Sequence, residues 1–269
     1  PFSIILNAKG KRRIFTHPGT VKETTTVEAC KDELAASYDA ILLSGSLIDK
    51  MPDIYHALLK KSEQVKELYV SLPTKRAITE KHMDAMCDLV GRADVVLSNI
   101  VELSWLAHAV DARYPVINDE KESLPKEDID AVLGWLQKRL QREGKPQATA
   151  LITMSKHGAA LIDDKGIHTF PVWQKDAPIL STTGGGDAGY AGYLAARLKG
   201  LGPQHSAQMA MAFAADCIRW EESRIPHPHE VFEEALDDPR LQGAYDAGYA
   251  TAHGGAVAGL YQQRVAGRV

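Results

Sequence analysis

The sequence predicts an α/β protein, with a central, mostly parallel sheet flanked by helices. Three observations carry that expectation. From about residue 29 onward, short apolar runs of strand length alternate with amphipathic stretches of helical length. The runs end in Gly, Ser, Asn or Asp, the residues that turn a chain. Apolar residues make up 45% and charged residues 25% of the chain, enough to fill a core between two helical layers.

The elements follow in order. Residues 2–16 read as a hairpin: Ile4 to Leu6 is apolar, Asn7-Ala8-Lys9-Gly10 is turn chemistry, and Arg12 to Phe15 runs back. His17-Pro18-Gly19-Thr20 breaks the pattern. Ala40 to Leu43 is a strand ending at Ser44-Gly45-Ser46, and a helix over about 51–65 leads to the strand Leu68 to Leu72. Another helix, about 79–90, leads to the strand Asp94 to Ser98. Over about 126–143, Ile129, Val132, Leu133, Leu136 and Leu140 fall on one helical face opposite Lys, Arg and Gln. Strands Ala150 to Thr153, Ala159 to Ile162 and Ile167 to Phe170 follow, the last two joined by the turn Asp163-Asp164-Lys165-Gly166. A glycine-rich turn then opens a helix at about 188, and an apolar helix covers about 205–220. Pro226 and Pro228 punctuate the next segment, and residues 243–269 hold 13 Ala or Gly, which predicts a peripheral helix or a loosely ordered tail. The expected divisions are a hairpin at 1–28, an α/β core at 29–236 and the tail at 237–269.

Charge and composition exclude several classes of function. With 31 basic and 35 acidic side chains in 269 residues the formal net charge is −4, without the cationic excess that binding a phosphate backbone requires. Trp105, Trp135, Trp173 and Trp220 form no stacking ladder for single strands. No apolar run approaches the ~20 residues of a membrane span, and no basic-then-apolar signal opens the chain. Cys30, Cys87 and Cys217 are odd in number and far apart, so neither a disulfide framework nor a Cys-based metal site is expected. The expectation is a cytoplasmic protein with neither a membrane nor a nucleic-acid partner. His227-Pro228-His229 lacks a third ligand nearby and reads as a surface loop. Asp237-Asp238 reads as solvent-facing or a cap, and Lys9, Lys11, Arg12 and Arg13 as a solvated turn.

The most informative segment is Thr182-Thr183-Gly184-Gly185-Gly186-Asp187. Three glycines let the backbone approach a ligand closely and aim N–H groups at one point. The helix that follows adds unpaired amides and partial positive charge at its start, so the turn is a receptor for an anion such as a phosphoryl group. Asp187 stands beside it, placed to accept a proton from an attacking hydroxyl. Asp is also a good helix cap, and both readings stand for a lone Asp after Gly. The glycine run and the paired threonines tip the balance toward chemistry. Gly184-x-Gly186-x-x-Gly189 matches the dinucleotide fingerprint by letter, but the residues before it are polar and Pro-containing, and positions near 209 lie in a helical Ala/Met stretch where the fingerprint needs an acid. A Lys after the last Gly, as in a Walker A loop, is absent.

Ser181-Thr182-Thr183-Gly184-Gly185-Gly186-Asp187-Ala188-Gly189-Tyr190-Ala191-Gly192 resembles the C-terminal signature of the ribokinase-like, PfkB-type carbohydrate and nucleoside kinases, commonly D-T-T-G-A-G-D-A-F-x-A-G. Upstream, Asn99-Ile100-Val101-Glu102 is similar to the family's N-x-x-E element, and Thr153-Met154-Ser155-Lys156-His157-Gly158 to its T-L-G-x-x-G strand end. The resemblance runs from about residue 2 to 236 and implies a ribokinase-like fold, with the hairpin as the remnant of a β lid. It implies an ATP- and Mg²⁺-dependent transfer of phosphate to a hydroxyl of a sugar or nucleoside. Asp187 would be the base and Gly184, Gly185 and Gly186 the anion hole. Asn99 and Glu102 would organise Mg²⁺ through water, and Thr153, Ser155, Gly158 and Thr183 would lie against the nucleotide. From the residues alone, Asn99 and Glu102 are a cap and a first-turn acid.

The departures matter. Ser181 replaces the signature's leading Asp, which the family associates with a monovalent-cation site, so potassium activation is not carried over. Gly185 replaces Ala, Ser155 replaces Gly, and Ala214-Ala215-Asp216 offers no counterpart to the family's adenine-side Asn. The family's first strand, part of its lid and several sugar-binding groups precede the point that matches the hairpin. These residues are therefore expected to hold the phosphate-transfer half of the site and little of the acceptor half. A non-catalytic nucleotide- or sugar-binding protein on the same scaffold is the alternative. An exposed hairpin edge also invites pairing with a second copy, which predicts a homodimer. The reading as a whole requires Asp187 to face a hollow beside the triple-glycine turn.

Overall fold

The computed structural model describes residues 2–8, 11–17, 26–73, 82–118, 124–142, 145, 147–173, 178–220 and 225–237. The expected tail from residue 238 onward, and the start of the helix expected at 79, lie outside them. Strands β1 (Phe2–Ala8) and β2 (Lys11–His17) pair antiparallel, Phe2 opposite His17 and Ala8 opposite Lys11, as a separate two-stranded sheet. After helix α1 (Lys31–Ala35), the main sheet runs in the order β3 (Ala40–Ser44), β4 (Glu67–Ser71), β5 (Val95–Asn99), β6 (Thr149–Thr153), β7 (Ala159–Asp163), β8 (Gly166–Phe170). The strands β3 to β6 are parallel; β7 and β8 add antiparallel.

Helices fill the parallel crossovers: α2 (Leu47–Lys50) and α3 (Pro52–Lys61) before β4, α4 (Met83–Arg92) before β5, α5 (Ile100–Val110) and α6 (Lys126–Arg142) before β6. Side-chain alternation across the sheet explains why these runs are strands. Leu43, Val70, Val96, Ala150 and Ile162 form one continuous register row facing the layer of α3 to α6. Leu97, Leu151 and Leu161 face the other way, toward α7 (Gly185–Leu198) and α8 (Pro203–Cys217). Central strands buried on both faces need no polar residue, which is why their sequences read as unbroken apolar runs. The edge strand β8 alternates between half-buried and exposed positions.

Two boundaries differ from the sequence expectation. The helix expected to reach residue 65 ends at Lys61, and a single 3₁₀ turn, Ser62–Gln64, carries the chain into β4. Pro228 does not interrupt structure but opens a helix, α9 (Pro228–Asp237). Proline is favoured in the first helical turn because its missing N–H has no intrahelical partner there. Val231 and Ala235 of α9 are buried with Met209, Ala212 and Phe213 of α8.

Candidate active site

Every parallel strand ends at the same edge of the sheet, and the chemistry gathers there. At the end of β5, Asn99 caps α5: its Oδ1 accepts the Glu102 N–H at 2.8 Å, and the Glu102 Oε2 accepts the Asn99 N–H at 3.4 Å. Register places Thr153, the last residue of β6, beside Asn99. The chain then makes a 3₁₀ turn, Ser155–His157, and returns as β7. Opposite these strand ends stands the first turn of α7. Gly184 adopts φ 81°, where a side chain would be strained, and the backbone N–H groups of Leu180 and Ser181 both donate to the Ile218 carbonyl, at 2.9 and 3.1 Å. The first intrahelical bond is donated by Ala188 to the Gly184 carbonyl at 2.8 Å. The amides of Gly185, Gly186 and Asp187 therefore have no partner one turn back and lie at the positive end of the helix.

The carboxylates of Asp187 and Glu102 feel one another across this edge. Burial is the largest influence on Glu102 and, helped by the Asp187 charge, pushes its carboxyl up to about 7 against the opposing hydrogen bonds from Asn99 and Ser98. Tyr190, one turn beyond Asp187, packs its ring against the Leu97 and Leu151 cluster and lies within electrostatic reach of both acids. Its phenol is pushed up far beyond its usual range, mainly by burial. Cys217 closes the underside of the turn, its Sγ 3.9 Å from the Thr183 carbonyl, and burial raises its thiol.

Asn99, Glu102, Thr153 and Asp187 thus come together, with the glycine turn alongside. Asp187, Gly186 and Ser155 are exposed, so the described residues make an open shelf; the hollow that the sequence reading required is not met among them, and what supports that reading here is the approach of Glu102 and Asp187 beside the glycine turn. Cavities of about 500 and 100 Å³ open instead at the opposite edge, the first lined by residues such as Arg92, Asp94 and Lys145 and the second by Gln137, Lys145 and Asp164. The glycines divide between two tasks. A Cβ on Gly185 would meet Ile218 at 2.9 Å, whereas one on Gly186 would meet nothing within 4 Å. Gly158, at φ 87°, has the Phe170 carbonyl oxygen 2.0 Å from where its Cβ would stand, so the turn into β7 demands glycine before any ligand is considered. Ser155 sits at φ 54°, the left-handed region that favours glycine. Sequence reasoning missed Tyr190, though its spacing of three from Asp187 on a helix was a usable signal.

Glu102, with Asn99 at its side and no ion pair to a cation among the described residues, is the acid that could hold a hard divalent cation, whose charge would draw the buried carboxyl into its ionised form. No cluster of three or more His, Cys, Asp or Glu able to hold a metal forms among the described residues.

Residues 2–230 match the family model described as pfkB family carbohydrate kinase. The chain belongs to that family. The pfkB assignment agrees with the fold, which is ribokinase-like. A probable sugar kinase from Rhizobium etli CFN 42 superposes with a TM-score of 0.65 at 19% identity, covering 89% of this chain and 65% of that one. Adenosine kinase from Schistosoma mansoni in complex with 2-fluoroadenosine gives 0.67 at 17% identity, over 84% and 64%. Ribokinase from Cryptococcus neoformans var. grubii serotype A in complex with ADP gives 0.59 at 16%, over 86% and 70%. This pfkB chain therefore spans about two thirds of the length of these structures. No curated protein matches it. No helix among the described residues is long and apolar enough to cross a membrane.

Proposed function

We propose that the chain transfers the terminal phosphoryl group of ATP to a hydroxyl of a sugar or nucleoside. The supporting observation is the convergence of Glu102 and Asp187 beside the open amides of the α7 N-terminus. Asp187 accepts the proton of the acceptor hydroxyl, and the amides of Gly185, Gly186 and Asp187, presented by the turn at Gly184, stabilise charge on the phosphoryl group in transfer. Asn99 and Glu102 would hold Mg²⁺, which when bound would neutralise phosphate charge. Thr153, Ser155 and Thr183 line the approach of the nucleotide, and Gly158 shapes the turn that presents Ser155. The neighbours include a probable sugar kinase, a ribokinase and an adenosine kinase, which supports sugars and nucleosides as the acceptor class.

Asp187→Asn keeps the side chain's size and removes its basicity. In an ATP-coupled assay over a panel of sugars and nucleosides it is expected to lower turnover by about a thousandfold, with nucleotide affinity nearly unchanged. An active chain that keeps its rate after this change refutes the assignment. A second reading, nucleotide or sugar binding without transfer on the same scaffold, is supported by the exposure of Asp187 and Gly186 on an open shelf. It predicts ligand-induced stabilisation with no turnover on any acceptor.

A further inference from the structure

Two side chains in the second half of α7 tie that helix to the starts of the parallel strands, at the end of the sheet away from the site. Arg197, in the last turn, donates from Nη2 to Glu67 Oε1 at 3.0 Å, an ion pair between residues 130 positions apart. Glu67 opens β4, and its Oε2 accepts the hydroxyl of Tyr69, which is fully buried in the cluster under α7 and α8. Burial and the Glu67 charge push that phenol far above its usual range, so it stays a donor. One turn before Arg197, the buried Tyr193 shares a hydrogen bond between hydroxyls at 3.1 Å with Thr149, which opens β6. Helix and strands have fixed rises, so these ties act as a measure. From Tyr193 to Asp187 the helix covers about 9 Å, and from Thr149 to Thr153 the strand covers about 13 Å. From Arg197 to Asp187 the helix covers about 15 Å. From the level of Glu67 to that of Asn99, through the register partners Tyr69 and Val95, the sheet covers about 20 Å. The two differences, about 4 Å and about 5 Å, agree within one residue's rise. Bonds to two different strands thus specify one axial position for Asp187 against Asn99 and Thr153. The first turn of α7 has little of its own to hold it: Gly184 offers no side chain as a cap, and Gly185 and Gly186 are poor helix formers.

We propose that Arg197 is a positioning residue: its ion pair with Glu67 pins α7 along the sheet and so sets the level at which Asp187 stands against the strand ends carrying Asn99 and Thr153. The effect on rate rests on the transfer reading, but the pin itself is a property of the apo fold. Arg92 is the control. Its Nη2 meets Glu63 Oε1 at 2.8 Å, an ion pair at the same end of the sheet, made from α4, a helix that carries no residue of the site.

The test compares Arg197→Met with Arg92→Met, each keeping an unbranched apolar stem. Arg197→Met is expected to lower kcat about tenfold with the nucleotide KM within about twofold, since a small displacement of the base costs rate rather than binding. Arg197→Lys keeps the charge without the planar fork and is expected to return kcat to within about threefold of wild type. Adding Glu67→Gln to Arg197→Met is expected to cost no further rate, because the pair acts as one unit. Arg92→Met is expected to lower the melting temperature with kcat unchanged. In the apo protein, amide hydrogen exchange over residues 185–190 is expected to quicken about fivefold in Arg197→Met and to stay unaltered in Arg92→Met. Quickening confined to residues 194–199, beside the substitution, overturns the proposal. So does an unaltered kcat in an active Arg197→Met protein, an equal loss of kcat in Arg92→Met, or a further full loss on adding Glu67→Gln. A wild-type chain that turns over no acceptor sinks the transfer reading and the rate effect with it, and exchange over 185–190 then decides the pin alone.

Discussion

Glu102 shows how a side chain can be poorly placed for stability and well placed for chemistry. In the unfolded chain its carboxyl titrates near 4.5; folded, burial and the Asp187 charge hold it at about 7. The folded state therefore binds the extra proton between those values, and stability falls as pH rises from about 4.5 to about 7, then levels. The difference corresponds to about 3 kcal/mol at most. Glu102→Gln keeps an oxygen to accept the Asn99 N–H and removes the charge. Urea unfolding should find the variant as stable as wild type near pH 5 and more stable at pH 8. Parallel curves for the two proteins across that range would mean that Glu102 is not desolvated as described. Asn99 and Glu102 were legible in the sequence as a cap and a first-turn acid. Their meeting with Asp187 was not, because it depends on the 84 residues between Glu102 and Asp187 folding the helix starts onto one edge.

At the level of elements, the pairing of α7 with α8 explains glycines that the signature alone would assign to phosphate. Gly185, Gly189 and Gly192 recur at spacings of four and three on one face of α7. A Cβ on Gly192 would stand 2.8 Å from the Phe213 ring, and one on Gly189 3.4 Å from the Ala210 carbonyl oxygen. The two helices approach closely because three side chains are missing from the seam. Gly186 points away from it, toward open space. Gly192→Ala should therefore destabilise by about 1–3 kcal/mol through overpacking, outweighing the gain in helix propensity. Gly186→Ala should instead raise stability by up to about 1 kcal/mol and weaken nucleotide binding, if a Cβ there crowds the anion. Denaturant midpoints and ADP affinity measured on both variants separate the roles; a Gly186→Ala protein with full affinity would remove that glycine from the cradle. The seam was hidden in the sequence because glycine reads alike in a ligand turn and in a helix contact. Helix α9 was hidden for a related reason: proline was read as punctuation, whereas its place in the first turn makes it a start.

Across the whole molecule, the parallel sheet supplies direction. Four parallel strands deliver Ser44, Ser71, Asn99 and Thr153 to one edge, and the α7 and α8 layer sets a helix N-terminus over it. The fold was readable because central strands are plain apolar runs. The fine geometry was not, because register decides which strand ends are neighbours, and nothing local in Asn99 or Thr153 encodes their pairing. The opposite edge is tied by Lys145 to Asp94 at 2.8 Å and Arg92 to Glu63 at 2.8 Å, so its charges are already spent on one another. Ligand linkage should follow this polarity. ADP with Mg²⁺ at about a hundred times its dissociation constant should stabilise the chain by about 2.7 kcal/mol, roughly 5–10 °C in melting temperature. The Mg²⁺-dependent part should shrink in Glu102→Gln and persist in Asp187→Asn, because only the former loses a charge that holds the ion. If Lys145→Ala at the far edge reduces the nucleotide-induced shift while Glu102→Gln leaves it intact, the nucleotide binds at the wrong end of the sheet for this chemistry.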